Sequence, residues 1–329
     1  MSERLTELQA WLRDDLGLND FTVVPASSDA SFRRYFRVTG GGQSHIVMDA
    51  PPDKEDCRPF VATARAMAGL GLNVPRIVEA DLARGFLLLS DLGSRHYLQA
   101  LNEQTADRLY GDALGALRLL QAAPLAGAAL PEYGRDLLLR EMALFRDWYL
   151  ARHLQMAMGE AISEILEQAF AYLAEEALSQ PQVWVHRDYH SRNLMVTEAH
   201  NPGILDFQDA VIGPVTYDLV SLLRDCYISW PRERVAQWVK GYFSALQAEG
   251  RLQGVKAGQF TRWFDLMGIQ RHLKAIGIFA RLNYRDGKPG YLQDIPRTLA
   301  YVVEASAHYP EMQSLRRLVM ERVLPQLPR

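Results

Sequence analysis

The first ninety residues combine one leucine-striped segment with several short β-rich runs. Residues 3–16 place leucines at three- and four-residue spacing among charged side chains, which predicts an amphipathic helix. Residues 55–70 show a similar helical period. Runs of β-branched, aromatic and leucine residues, broken by glycine and proline, predict strands at 21–24, 35–39, 45–48, 73–78 and 85–89. Together these elements predict a small lobe that ends near Asp91.

Beyond residue 93 the hydrophobic pattern becomes mostly helical. Three- and four-residue spacing predicts helices at 103–122, 135–156, 159–179, 217–228, 232–249, 260–281 and 295–307. Short apolar runs predict strands at 183–185, 194–197 and 203–205. The sequence thus predicts an α+β chain with a β-rich N-terminal lobe over 1–92 and a larger, mostly helical lobe over 93–329.

Composition narrows the class of protein. The chain has 329 residues, of which 48% are hydrophobic, and this suffices for two cores. The balance of 36 Lys+Arg against 39 Asp+Glu argues against a nucleic-acid partner. Cys57 and Cys226 match no metal or disulfide spacing, which fits a reducing cytoplasm. We see no signal peptide and no apolar run long enough to cross a membrane, so we expect a cytoplasmic protein without a membrane partner; the oligomeric state stays open.

A polar loop between two apolar strands carries the candidate chemistry. It reads His186-Arg-Asp-Tyr-His-Ser-Arg-Asn193, and the next strand ends in Asp206 after a turn at 201–203. Phosphoryl transfer requires positioned oxygens that hold magnesium and a group that aligns the attacking hydroxyl. We predict that Asp188 accepts or aligns the hydroxyl proton and that Asn193 and Asp206 are the magnesium ligands.

Two further residues are predicted to support this loop. His186 is more typical of a structural histidine that hydrogen-bonds near the metal loop than of a catalytic one. Asp218 precedes an apolar helical run, so it fits either a helix N-cap or an anchor for the loop backbone.

The motifs carry a family resemblance. The loop at 186–193, Ile204-Leu-Asp-Phe-Gln-Asp209 and Gly213-Pro-Val-Thr-Tyr-Asp218 resemble the aminoglycoside phosphotransferase family, which has a bilobal protein-kinase-like fold with ATP and Mg²⁺ in its cleft. Residues 27–36 and 270–288 extend the resemblance to bacterial anomeric N-acetylmuramate/N-acetylglucosamine kinases of cell-wall recycling. This resemblance implies transfer of the ATP γ-phosphate to the C1 hydroxyl of a free amino sugar.

The sequence departs from the kinase pattern on one strand. Residues 45–49 contain no phosphate-binding Lys, and the following helix offers as a partner only Glu55 near its start. We therefore expect another cation to contact the phosphates. Arg33 and Arg34 are the nearest candidates, and strand alternation would turn only one of them towards the nucleotide.

Further ATP contacts follow from the resemblance. The small-residue loop at 27–31 would cover the phosphates, with Ser28 and Ser31 as its binding residues, although it lacks the glycines of a Gly-rich loop. Residues 88–93 resemble the hinge between the lobes, where the backbone of Ser90 and Leu92 would bind adenine.

The length of one connection limits the acceptor. Eleven residues separate Asp206 from Asp218, which is too short for the segment on which a protein kinase docks a polypeptide. A small-molecule acceptor is therefore expected. Another alcohol, such as an aminoglycoside or a choline-like molecule, stays open, as does a non-catalytic nucleotide-binding regulator, which the missing Lys would fit.

The residues that bind this acceptor are predicted from two helices. Arg271, Lys274 and Arg281 lie roughly opposite an apolar helical face, where they form either a solvated basic face or an anion-binding surface. The second reading suits an amino sugar that carries a carboxylate. We therefore take Glu141, Arg271, His272 and Arg281 as candidate substrate-binding residues.

Overall fold

A computed structural model describes residues 3–28 and 32–327. The α-helices are α1 (Glu3–Ala10), α2 (Cys57–Gly69), α3 (Tyr97–Ala100), α4 (Ala106–Gln121), α5 (Arg135–Leu144), α6 (Glu160–Leu178), α7 (Tyr217–Leu223), α8 (Arg232–Ala248), α9 (Ala257–Asp286), α10 (Ile295–Ser306) and α11 (Gln313–Leu318). The strands are β1 (Thr22–Ser28), β2 (Arg34–Gly40), β3 (Gln43–Asp49), β4 (Ile77–Asp81), β5 (Phe86–Ser90), β6 (Gln182–Val185), β7 (Leu194–Met195), β8 (Gly203–Ile204) and β9 (Val211–Pro214). Segments Trp11–Asp15, Phe145–His153 and Val319–Val323 are π-helical, and Pro289–Asp294, Pro310–Met312 and Leu324–Gln326 are 3₁₀ turns.

The chain forms two compact units. The first contains Met1–Ala100 and Leu194–Gln208, and the second contains Leu101–Asn193 and Asp209–Arg329. The predicted boundary after residue 92 falls close to the end of the first stretch. The sequence did not predict the return of 194–208 to the N-terminal unit, because the bridges Asn73–Gly203 and His96–Met195 join residues that are far apart in the chain.

The N-terminal unit is built on a five-stranded antiparallel sheet in the order β1-β2-β3-β5-β4. The predicted strands are present, but β4 begins at Ile77, because Asn73 pairs instead with Gly203. The leucine stripe of α1 packs on the sheet, where Leu8 and Leu12 are fully buried with Phe36 and Phe86. Burial of such apolar side chains stabilises the unit by roughly 1.5–3 kcal/mol each.

The C-terminal unit is organised around α9, which is buried along most of its length. It packs against α5, α6, α7 and α10. Gly277 permits the closest approach, because a Cβ atom there would lie 2.3 Å from the backbone carbon of Leu144. Of the two alternatives for the basic residues of α9, the solvated face does not apply to Arg271 and Lys274, which are only 6% and 7% exposed.

One helix boundary differs from the prediction for a local reason. Helix α7 ends at Leu223, not near 228, because the Asp225 carboxylate accepts a hydrogen bond from the Tyr227 amide (2.9 Å) and turns the chain. The C-terminal helices beyond residue 310 were not predicted. Among the described residues 3–28 and 32–327, no helix has the length and apolar character of a membrane span.

Candidate active site

The loop between β6 and β7 holds the predicted catalytic residues. The Asp188 carbonyl accepts hydrogen bonds from the His190 amide and from Asn193 Nδ2, both at 3.0 Å. The Asn193 amide donates in turn to the His190 carbonyl at 2.9 Å. These bonds wind the loop into a tight turn that brings Asp188 and Asn193 together within the C-terminal unit.

Asp218 fixes the start of the loop from the first turn of α7. Its Oδ2 accepts from the His186 amide at 2.6 Å and its Oδ1 from the Arg187 amide at 3.0 Å. Full burial raises the pKa of Asp218 to about 7, against the lowering effect of these two bonds. His186 is also fully buried, and its Nδ1 accepts from the Asp188 amide at 3.3 Å. Both residues therefore contact the loop backbone.

A buried ion network lies beside the loop and is centred on Glu141. Its Oε1 contacts Arg187 Nη2 at 2.5 Å and Lys274 Nζ at 3.0 Å, and its Oε2 accepts from the Tyr133 hydroxyl. Lys274 also donates to the Tyr217 hydroxyl at 2.9 Å. Glu141 was expected to contact the acceptor, but these partners engage both of its oxygens, and its carboxylate instead pairs with two buried cations.

The residue before Asp188 has an unusual backbone conformation, and neighbouring cations affect the charge of Asp188. Arg187, which precedes Asp188, has a φ of 77°, a conformation rarely adopted outside glycine and often held by surrounding contacts at functional sites. Burial raises the pKa of the Asp188 carboxyl, but the charge of Lys274, followed by those of neighbours that include Arg271, outweighs burial and lowers it. Asp188 is therefore a carboxylate at neutral pH.

Arg271 lies on α9 one turn before Lys274 and is 6% exposed. Its Nε and Nη1 atoms find no hydrogen-bond partner among residues 3–28 and 32–327. Leaving guanidinium donors unsatisfied in a buried position is costly, so an oxygen from outside the chain would be favoured there. Arg281 lies farther along α9 and is partly buried, which lowers its pKa, as does the charge of Arg285.

His272 occupies a structural position, contrary to the expectation that it binds the acceptor. Its ring is 1% exposed, bonds through Nε2 to the Arg224 carbonyl at 2.8 Å and stacks on Tyr301 with centroids 4.9 Å apart. A helix turns neighbouring side chains about 100° apart, so His272 and Arg271 point in different directions. Burial lowers the pKa of His272 to about 3.

This burial predicts a specific pH dependence of stability. His272 is neutral in the folded chain, whereas the unfolded chain takes up a proton below the ordinary pKa of 6.5. The contribution is therefore complete above that pH and is lost as the pH falls towards 3. Between about pH 6 and pH 5, the free energy of unfolding measured by urea denaturation should fall by about 1 kcal/mol more for the wild type than for His272→Gln. Identical pH dependence of the two proteins would contradict a buried neutral His272.

Asp206, the second predicted magnesium ligand, belongs to the N-terminal unit. It lies two residues beyond the end of β8, has a φ of 62°, and accepts from Gln208 Nε2 at 2.6 Å. In the described parts of the chain no three His, Cys, Asp or Glu side chains form a metal cluster. The carboxylate of Asp206 and the side-chain oxygen of Asn193 are the kinds of ligand that suit Mg²⁺, which uses one or two protein oxygens together with substrate phosphates and water. The amide nitrogen of Asn193 is bonded to the Asp188 carbonyl, which turns its oxygen away from that carbonyl.

The predicted phosphate contacts fall at the β1–β2 connection. Arg33 Nη2 pairs with Glu55 Oε2 at 3.2 Å, whereas Arg34 pairs with the buried Asp49 on β3. Of the two arginines, Arg33 is therefore the one that pairs with Glu55, the carboxylate near the start of α2. Ser28 ends β1, and Ser31 lies outside the described residues.

The predicted adenine-binding segment follows β5. The Ser90 amide donates to the Arg76 carbonyl at 2.9 Å, so this N–H is already used within the sheet. Leu92 lies against Gly203, where its side chain would come within 3.0 Å of an added Cβ. Asp91 fixes the segment between them by accepting from Arg37 Nε at 2.7 Å.

Sequence reasoning missed one residue that shapes the loop. Asp225 Oδ2 accepts from both the amide (2.9 Å) and the hydroxyl (2.5 Å) of Ser191, three residues after Asp188. An Asp inside a predicted helix gave no sign of this contact. Lys274 was recognised only as part of a basic face, although its spacing from Arg271 places both on one side of α9.

The fold and the sequence define the class of protein. Residues 22–255 match the phosphotransferase enzyme family, and the chain belongs to it. The structure superposes on an ADP-bound aminoglycoside phosphotransferase with a TM-score of 0.60 at 16% identity, covering 91% of this chain and 98% of that one. These findings confirm the protein-kinase-like fold and make the chain an ATP-dependent phosphotransferase that acts on a hydroxyl group.

More similar relatives match nearly the whole chain. The N-acetylmuramate/N-acetylglucosamine kinase of Pseudomonas putida is 47% identical over 330 residues, covering 97% of this chain and 96% of the relative. The protein of the same name from Pseudomonas aeruginosa is 51% identical over 305 residues, covering 92% and 89%. The predicted family resemblance is confirmed. These matches include α9, which lies beyond the residues matched by the family model.

Proposed function

We propose that this phosphotransferase transfers the γ-phosphate of ATP to the anomeric C1 hydroxyl of N-acetylmuramate and N-acetylglucosamine, in the cytoplasm, during peptidoglycan recycling. The observation that carries the proposal is the similarity to kinases of that name along almost the full length of both chains. The matched region includes α9, the helix that supplies Arg271 and Lys274. These two cations are our candidates for an acceptor-binding surface.

The roles of the site residues follow from their chemistry. Asp188 aligns the hydroxyl and takes its proton, and Asn193 and Asp206 supply oxygens for Mg²⁺, which neutralises charge on the phosphates when bound. Arg33 contacts the phosphates in place of the missing Lys, with Glu55 holding its guanidinium. Ser28, Ser31, Ser90 and Leu92 remain proposed contacts of ATP.

The low pKa of Asp188 favours an anomeric acceptor. A carboxylate held in its ionised form by neighbouring cations is a weak base, so it suits an acceptor that loses its proton readily. An anomeric hydroxyl is more acidic than an ordinary alcohol. Transfer to such a hydroxyl therefore needs orientation more than strong base catalysis.

The charges near Asp188 also disfavour a cationic acceptor. Lys274 and Arg187 share the single negative charge of Glu141, and Arg271 is a further buried cation beside the Asp188 carboxylate. An aminoglycoside or a choline-like molecule would bring further positive charge to this region. N-acetylglucosamine is neutral and N-acetylmuramate carries a carboxylate, and both are compatible with Arg271.

An acceptor panel tests the proposal. Purified protein is incubated with ATP, magnesium and each of N-acetylmuramate, N-acetylglucosamine, kanamycin and choline, and the phosphorylated products are detected by mass spectrometry. We expect product from the two amino sugars and none from the cations. Failure with both amino sugars would reject the proposed acceptor, and an absence of any nucleotide turnover would favour a non-catalytic regulator.

Arg271 is expected to separate the two amino sugars. Replacement by Met should raise the KM for N-acetylmuramate about tenfold to a hundredfold, because a charge-assisted bond to its carboxylate is lost. The KM for N-acetylglucosamine should change less than about threefold, since that sugar has no carboxylate to pair. Steady-state kinetics of one protein on both sugars provides its own control for folding. Equal changes in KM for both sugars would show that Arg271 does not bind the carboxylate of N-acetylmuramate.

A further inference from the structure

The C-terminal unit contains a cavity whose lining does not include Asp188. It has a volume of about 290 Å³ and lies between α8, α9 and α10. Aromatic rings form much of its wall: Trp230, Phe243, Phe260, Phe264 and Tyr301. Small-molecule sites are typically apolar hollows of about 300–1,000 Å³ with a few polar groups, and the volume of this cavity falls just below that range.

The polar groups of the cavity have a net positive balance. Arg224 pairs with Asp265 at 2.8 Å, and Arg232 at the rim pairs with Glu304 at 3.6 Å. Lys240 also lines the rim, is exposed, and forms no ion pair with any residue of 3–28 or 32–327. Three cations therefore face two carboxylates, which favours a ligand with a single negative charge.

Two polar groups near the floor of the cavity are unsatisfied within the described chain. Arg224 Nη1 and the Tyr301 hydroxyl have no hydrogen-bond partner there. The Asp265 carboxylate bonds to neither of these two atoms, since its Oδ1 contacts Arg224 Nη2 and its Oδ2 accepts from Tyr309 at 2.7 Å. Both atoms are buried, so a ligand oxygen would complete their hydrogen bonding only after the two side chains turned towards the cavity, where the aromatic walls would hold the ligand ring.

The floor of the cavity is joined directly to the catalytic loop. The carbonyl of Arg224 accepts from His272, whose neighbour Arg271 lies near Asp188. The next residue, Asp225, holds Ser191 of the loop through two hydrogen bonds. A single peptide unit, between Arg224 and Asp225, therefore connects the cavity to the loop that contains Ser191.

From these contacts we propose that the cavity binds a small planar aromatic anion and that the bound anion changes the rate of phosphoryl transfer through Arg224 and Asp225. This site differs from the proposed sugar and ATP contacts. The ligand class follows from the ring-lined wall, the excess cation at the rim and the unsatisfied donors. To alter catalysis, the ligand must bind more tightly to one conformation of Arg224 and Asp225 than to another.

Binding is tested with naphthalene-2-carboxylate and its neutral isostere naphthalene-2-carboxamide by isothermal titration calorimetry. We expect the carboxylate to bind with a Kd below about 1 mM and the amide at least about tenfold more weakly. Ala236→Trp fills the cavity from an exposed position on α8 and should abolish binding. The matched control Gln237→Trp changes the next exposed position, which does not line the cavity, and should bind normally.

The outcomes are decisive in both directions. Undiminished binding to Ala236→Trp, or no binding to the wild type at millimolar carboxylate, would overturn the site, and equal binding of the amide would overturn the anionic class. This titration contains no sugar, so it does not depend on the proposed acceptor. At saturating carboxylate we expect kcat to change at least about twofold in the wild type and Gln237→Trp but not in Ala236→Trp. An unchanged kcat in all three would overturn the coupling to the loop.

Discussion

Replacement of Asp188 by Asn is expected to lower kcat by about a thousandfold or more, because the amide can neither accept the hydroxyl proton nor align it as a carboxylate does. ATP binding should remain within about threefold of the wild type, since no phosphate contact is assigned to this side chain. A coupled assay gives kcat, and ATP titration by calorimetry gives the binding constant.

An exposed carboxylate supplies the matched control for this change. Asp209 lies three residues after Asp206, is exposed, and its side chain has no assigned role. Asp209→Asn should keep its kcat within about twofold, as is usual for surface substitutions. If Asp188→Asn retained more than about a tenth of the wild-type rate, the hydroxyl would be activated by another group.

Glu141→Gln is expected to lower the free energy of unfolding by about 3–5 kcal/mol, because it leaves the charges of Arg187 and Lys274 buried without their counter-ion. Since Arg187 directly precedes Asp188, we also expect kcat to fall more than KM rises. Urea denaturation and steady-state kinetics measure the two effects.

A second substitution should offset part of the loss of stability in Glu141→Gln. Adding Lys274→Met to Glu141→Gln removes one of the uncompensated cations, so the double variant should be more stable than the sum of the two single effects predicts. Glu175→Gln is a control on the surface, where the pair with Arg135 spans 3.5 Å and the expected change is below about 1 kcal/mol. Additive effects of the two buried substitutions would contradict a coupled network around Glu141.

Alternation and periodicity sufficed for most elements of the fold. The strands around the glycine turn at 40–43, the leucine stripe of α1 and the long helices all follow from local pattern, since each element buries one regular face. The short strands β7 and β8 belong to the N-terminal unit because they pair with each other and contact Asn73 and His96. Such long-range pairing leaves no trace in local sequence.

The candidate site divides in the same way. The spacing of His186, Asp188 and Asn193 identified the loop, since phosphoryl transfer needs those groups on a short segment. The partners of the surrounding charges could not be predicted. Glu141 and Lys274 are far apart in the chain, so nothing in the sequence showed that they neutralise one another at 3.0 Å. His272 was misassigned because a polar residue beside Arg271 gives no sign that its ring is buried.

The position of the transferred phosphate tests the account most directly. Phosphorus-coupled proton NMR of the product from N-acetylglucosamine and ATP shows which carbon carries the phosphate. We predict coupling of phosphorus to the anomeric proton, which identifies a sugar 1-phosphate. Coupling to the protons on C6, or the absence of any phosphorylated amino sugar, would contradict the proposed function.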